Sequence, residues 1–259
     1  MGLPALTPAP LLPPSPWLPY WAVLAMDVRQ TARGWLFRAW VLVAVVLSQG
    51  YLLHRAAVHH EAGLLQTASG PVTDFLQYSL LAAATLVVLL SAGALSGERG
   101  SLADAVLCRG ISRHQYFLGK LHGRLVSVLG SFLAVGLLVL LVSVFVLRSD
   151  LAWGGSLLAL VQVAAVLGVV VAGGVAISAM VGNTVLGIAL CWLLVYAILA
   201  GSYLVPVEGF GLAKFLRTLP LLVRGQCELA GQLKVTGWLL LTAGCVASVG
   251  MLHFSRRDV

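Results

Sequence analysis

The chain is 259 residues long, 60% hydrophobic and 10% charged, with a mean hydropathy of +0.99 and a formal charge of +7. Soluble domains are about half apolar and about a quarter charged, so this composition excludes an ordinary soluble domain and points to an integral membrane protein. In such a chain the basic residues must be counted by side of the bilayer, and their excess does not argue for a nucleic-acid partner.

Residues 1–19 hold seven of the ten prolines and no charge, the make-up of a disordered or polyproline-like arm. No basic stretch precedes an apolar core there, so a cleaved signal peptide is not expected. From Tyr20 to Trp35 the spacing becomes helical. Trp21, Leu24, Ala25, Val28, Ala32 and Trp35 share one face, with Asp27, Arg29, Gln30 and Arg33 on the other. That pattern predicts a helix lying in the membrane interface with its charges toward water; the alternative is a plain extension of the first span. Gly34 is the expected hinge, and Arg38 can snorkel back to the headgroups.

Runs of about 20 apolar residues are what a bilayer requires of a helix. Six are expected: Phe37 to Leu53, Phe75 to Leu95, Leu125 to Leu147, Ser156 to Met180, Val185 to Val205 and Val235 to Phe254. With the N-terminus in the cytoplasm, the inner side holds Arg29, Arg33, Arg38, Arg99, Arg109, Arg113, Lys120, Arg124, Arg256 and Arg257. The outer side holds Arg55, Arg148, Lys214, Arg217, Arg224 and Lys234. Ten against six favours both termini inside.

The first outer loop, His54 to Asp74, offers His54, His59, His60 and Glu61 as metal ligands on paper. Adjacent His59 and His60 point to different sides of most backbones and no Cys or Met joins them, so a solvated loop is expected and no metal site. Between the second and third spans lies the one hydrophilic island, Gly97 to Arg124, with five of the sixteen basic residues. Ser101 with Asp104 is a helix-start pattern, Gly110 a helix stop, and Ser112 with Gln115 a capping box opening a second helix that runs unbroken into the third span. Leu102 to Arg109 forms two turns too short to persist alone in water, which calls for support from the membrane surface or a gripping partner.

The fourth span carries Ala165, Gly168, Ala172, Gly173, Ala176 and Ser178, small-residue faces that serve either bundle packing or dimerisation. Val181, Gly182 and Asn183 make a minimal turn into the fifth. The loop from Pro206 to Lys234 reads as two short amphipathic helices broken at Pro220, with Lys214, Arg217 and Arg224 reaching lipid phosphate. No Asp, Glu, Lys or Arg lies near the centre of any span, which argues against ion-coupled carriers. Gln77 and Gln162, polar at depth, are expected to hydrogen-bond between helices. Cys108, Cys191, Cys227 and Cys245 lack CxxC spacing and read as small buried hydrophobes. There is no GxSxG, HExxH or GxxxxGK[ST], so neither a catalytic nor a nucleotide-binding motif is visible.

Glu98-Arg99-Gly100-Ser101, the short helix after it, Gly110-Ile111-Ser112-Arg113, and Gly119-Lys120-Leu121 opening the third span resemble the cytoplasmic loop of ABC-2 type transporter permeases. The interfacial N-terminal helix, the six spans, the amphipathic pair and the closing Arg256-Arg257-Asp258 resemble the same family over nearly the whole chain after residue 20. Gly110 and Ile111 stand where that family more often has Pro or Val, and the Pro-rich arm is unusual. The resemblance implies an all-α integral membrane fold: residues 20–259 form one permease domain, with six transmembrane helices, an N-terminal interfacial helix, a cytoplasmic coupling helix between helices 2 and 3, and an amphipathic helical pair before helix 6.

It further implies that Leu102 to Arg109 is the coupling helix seated in a groove of a separate ATP-binding subunit, present in two copies. The contact set would be Glu98, Arg99, Gly100, Ser101, Leu102, Asp104, Ala105, Val106, Arg109, Gly110, Ser112, Arg113 and Lys120. ATP and Mg would bind the partner subunit and no cofactor this chain, which would pair with a second permease subunit in the plasma membrane. Apolar walls favour a hydrophobic or amphipathic substrate. The same walls fit a permease partner in copper-enzyme maturation, and a non-transporting membrane scaffold that recruits cytoplasmic partners is the rival from another class.

Overall fold

The computed structural model describes residues 17–61, 67–96, 111–147, 150–204 and 212–256; within these, the side chains of 59–61, 199, 202–204, 212 and 213 lie outside the description. All regular elements described are helices: α1 Leu18–Arg33, α2 Trp35–Glu61, α3 Ser69–Ala92, α4 Arg113–Val146, α5 Trp153–Met180, α6 Thr184–Leu204, α7 Leu212–Val223 and α8 Leu229–Arg256. Five of them, α2, α3, α4, α5 and α8, are long and apolar enough to cross a membrane; in α6 the apolar stretch is shorter, Thr184–Ile198. This is the make-up of a multi-pass membrane protein. A strip of 34 residues makes α4 about 51 Å long, well beyond the roughly 30 Å of a hydrocarbon core, so its polar first turns project past the apolar layer.

The helices outlast the apolar runs. α2 continues past Leu53 to Glu61 and α3 begins at Ser69, not Phe75, because the polar ends satisfy one another. The Tyr51 hydroxyl donates to Asp74 Oδ2 at 2.6 Å, and Arg55 pairs with the same oxygen at 3.5 Å. At the opposite end the Val181-Gly182-Asn183 turn is as expected. Asn183 Oδ1 accepts from the Val185 amide at 2.9 Å and starts α6.

α5 is the hub, touching α3, α4, α6 and α7 and packing most extensively on α8. Its small residues decide this. Ala165, Gly168, Ala172, Ala176 and Ser178 are all buried within the chain, so these faces serve packing inside the bundle. A methyl on Gly174 would collide with Ser91 of α3, and one on Gly250 of α8 would sit 2.7 Å from the Ala176 side chain. Backbones that close leave no room for lipid between them. Ser178 Oγ also accepts from the Leu95 and Ser96 amides, each at 2.9 Å, and so ties the turn after α3 to α5.

The Pro206 to Lys234 region differs from expectation. Pro220 lies inside a single helix, α7, instead of separating two. Proline cannot donate to the carbonyl four residues back, here Leu216. Gln77 of α3 donates to that carbonyl instead, Nε2 to O at 3.1 Å, so the orphaned acceptor is satisfied from another helix. α7 then stops cleanly: Gln226 N donates to Leu221 O and Gly225 N to Leu222 O, with Gly225 at φ 73, the paired bonds of a Schellman ending. Its inner face, Phe215, Leu219, Leu222 and Val223, is buried in the core while Lys214 and Arg217 stay exposed.

The same end is tied by Asp150, which accepts from the Ser69 amide at 2.8 Å and the Ser69 hydroxyl at 2.5 Å. Arg224 donates to Ser69 Oγ at 3.1 Å and lies 3.9 Å from Asp150. Burial alone would raise the Asp150 carboxyl, but donation from the Ser69 hydroxyl and amide and from Thr67 outweighs it and holds the group below its ordinary 3.8.

Two outcomes test these ties. Gln77→Leu should lower stability in detergent by about 1 kcal/mol, and adding Pro220→Ala should recover much of it, because residue 220 then supplies its own amide to Leu216; equal loss in single and double variants would refute the pairing. A carboxyl depressed by folding contributes stability that is complete at neutral pH and lost as pH falls through its folded value. The melting-temperature advantage of wild type over Asp150→Asn should therefore be constant from pH 7 downward and shrink only below about pH 4.

Candidate functional site

Of the residues expected to contact an ATP-binding subunit, Glu98, Arg99, Gly100, Ser101, Leu102, Asp104, Ala105, Val106, Arg109 and Gly110 lie outside the described residues, as does Cys108. The rest open α4. Ser112 Oγ accepts from the Gln115 amide at 3.2 Å and Gln115 Oε1 from the Ser112 amide at 3.1 Å, the expected capping box. From Arg113 the helix runs without interruption to Val146, also as expected. Arg113 Nη1 donates to the carbonyl of Ser255 at 3.3 Å, joining the first turn of α4 to the last turn of α8. Beside it Tyr116 stacks on Phe254, and Phe117 meets the same ring at a tilt.

Lys120 is almost wholly buried. Its Nζ donates to Asp27 Oδ1 of α1 at 3.1 Å, with 3% of the lysine side chain and none of the aspartate exposed. Arg124, one turn on, places Nε 3.3 Å from Asp27 Oδ2, near enough for an ion pair though not aligned as a hydrogen bond. Lys120 also lies 5.9 Å from the Tyr116 ring centre, within cation–π reach. One carboxylate thus sits between two cations in a buried seam. In so dry a setting each charge depends on the other.

This overturns the placement expected for Asp27, whereas Arg29, Gln30 and Arg33 are exposed as expected. Asp27 is not on a wet face; it faces α4 together with Val23 and Thr31, while Trp21 and Trp35 are 61% and 79% exposed. The amphipathic pattern misleads because periodicity shows no partner beyond the helix: Asp27 is paired with two cations of a neighbouring helix, and exposed indoles suit a membrane interface. Gly34 is the junction between α1 and α2, as expected. Beyond it, Arg38 Nε turns back to the Ala32 carbonyl at 2.9 Å.

Glycine permits the seam. A Cβ on Gly119 would stand 2.7 Å from the Val23 side chain, and one on Gly123 would stand 2.7 Å from Asp27 Oδ2. Four residues apart on α4, they form a groove into which α1 settles. Tyr20 OH and His122 Nδ1, 2.9 Å apart, add a further tie. Sequence reasoning missed Asp27, Tyr20, His122 and Arg124. The legible signal was Gly119-x-x-x-Gly123 enclosing a lysine, opposite the one acid of α1.

Elsewhere, among the described residues no group of three or more His, Cys, Asp and Glu side chains is placed to hold a metal. His54 is exposed, and the side chains of His59 and His60 lie outside the description. Gln162 of α5, fully buried, donates to the backbone and side-chain oxygens of Gln232 in α8, both at 3.0 Å, so it and Gln77 bond between helices as expected. Cys191 is buried, but Cys245 is exposed on α8, where lipid covers a small apolar side chain without cost. No protein-family model matches the sequence and no curated protein matches it significantly.

The seam yields an energetic expectation. Asp27→Ala strands two cations and should cost about 3–5 kcal/mol, whereas Asp27→Leu with Lys120→Met and Arg124→Met removes all three charges and should recover most of the loss. Thermal unfolding in detergent measures both; a single variant as stable as wild type would mean the buried charges are not coupled.

Proposed function

We propose that this chain is the membrane permease subunit of an ABC transporter of the ABC-2 type. On this reading α6 is a sixth span, both termini are cytoplasmic, and two such subunits in the plasma membrane are driven by two separate ATP-binding subunits. No reaction is assigned to the permease itself; ATP and Mg act in the partner. The hydrophilic stretch 97–112 is the segment a cytoplasmic partner grips, with Leu102 to Arg109 as the coupling helix.

The observation that carries the reading is the continuity of α4. A push delivered to the residues before Ser112 enters a capped helix that runs unbroken for 34 residues through the apolar layer. Its first turns are braced to α1 by Asp27 and to α8 by Arg113 and Phe254. Such a helix transmits displacement as a rigid lever, and ATP biases a bundle of this kind only by gripping its states differently. Apolar walls and the paucity of buried charge outside the Asp27 seam support a hydrophobic or amphipathic substrate.

Co-purification in mild detergent with the products of neighbouring genes, followed by an ATPase assay, tests the proposal. An ATP-binding subunit should co-elute, and Leu102→Asp should release it or abolish substrate-stimulated ATP turnover. If no nucleotide-binding subunit is ever bound, the reading fails and the scaffold alternative replaces it.

A further inference from the structure

The burial of Asp27 leaves α1 electrically one-sided. Its only acid is spent on Lys120 and Arg124, and the far side of the helix presents Arg29 and Arg33, both exposed. Neither arginine has an acidic partner among the described residues. They stand four residues apart, hence on one face. With Ala22, Ala25, Met26 and Gln30 they line an open groove along the helix. Exposed Trp17, Trp21 and Trp35 flank that face, and indoles of this kind settle at headgroup depth. The depth is fixed independently: a single residue, Gly34, separates α1 from the spanning helix α2.

We propose that this flank of α1 is a binding site for the headgroup of an anionic phospholipid. The planar forks of Arg29 and Arg33 suit a phosphate diester held between them, and the Gln30 amide can meet headgroup hydroxyls. Met26, 60% exposed, offers apolar surface to the acyl chains. A zwitterionic headgroup carries its own cation toward the arginines, so net negative charge is what the site selects. The proposal needs only membrane residence and stands apart from the transport reading.

The full-length chain, delipidated in mild detergent, is titrated with phosphatidylglycerol, phosphatidylcholine or inorganic phosphate, and bound species are counted by native mass spectrometry. Phosphatidylglycerol should be retained in preference to both others. At about fivefold per arginine, Arg29→Gln should weaken retention about fivefold and Arg29→Gln with Arg33→Gln about 25-fold. Lysine at both positions should keep more affinity than glutamine. Both side chains are exposed, so melting curves in phosphatidylcholine should match wild type. Equal retention of phosphatidylcholine, retention of free phosphate as tight as that of lipid, or undiminished phosphatidylglycerol binding in the double glutamine variant would overturn the site.

Discussion

A polar group that enters the interior of this bundle has no water to fall back on and must find its partner in the protein, on its own helix as Ser143 does or on another. That constraint arranges the molecule. Gln77 answers the carbonyl that Pro220 cannot reach, Gln162 ties α5 to α8, Ser178 ties the turn after α3 to α5, and Asp27 draws α1 onto α4. Apolar packing brings the helices together, but it is nearly indifferent to rotation and sliding when lipid is as apolar as leucine. The polar ties set the register.

Close approach is what makes the ties short enough to matter. Gly119 and Gly123 let α1 sink until the Asp27 carboxylate is within reach of Lys120, and the small residues of α5 do the same for α3 and α8. The two devices depend on each other. A side chain on Gly123 would push the carboxylate away and leave buried cations behind, while the glycine groove without the carboxylate would offer α1 little preference for this face over lipid.

Five of the six expected spans and the start of α4 were legible because they rest on local signals: apolar runs of bilayer length, and the Ser112 and Gln115 pair. What escaped depends on partners far along the chain. Periodicity assigned Asp27 to water because a lone acid on an amphipathic helix has no local partner, and its cations lie 93 residues on at Lys120 and further at Arg124. Pro220 reads as a break for the same reason; that Gln77, 139 residues from Leu216, would supply the missing donor is a tertiary fact. Small residues on α5 could equally have faced another subunit until Gly174 met Ser91.

α1 is therefore gripped on one flank by the bundle, and its other flank is left cationic by that same grip. Were Asp27 exposed, even on its own flank it would offset part of the positive field of Arg29 and Arg33. Buried against Lys120 and Arg124, it neutralises charges on α4 that would otherwise be costly at the edge of the apolar layer, and leaves the arginines of α1 free to face anionic headgroups. The buried ion pair joins α1 to the first turns of α4, so the flank that carries the arginines and the start of α4 share one set of contacts. The seam thus sets how α1 is turned against the start of α4, and Gly34 is the single residue that joins α1 to α2.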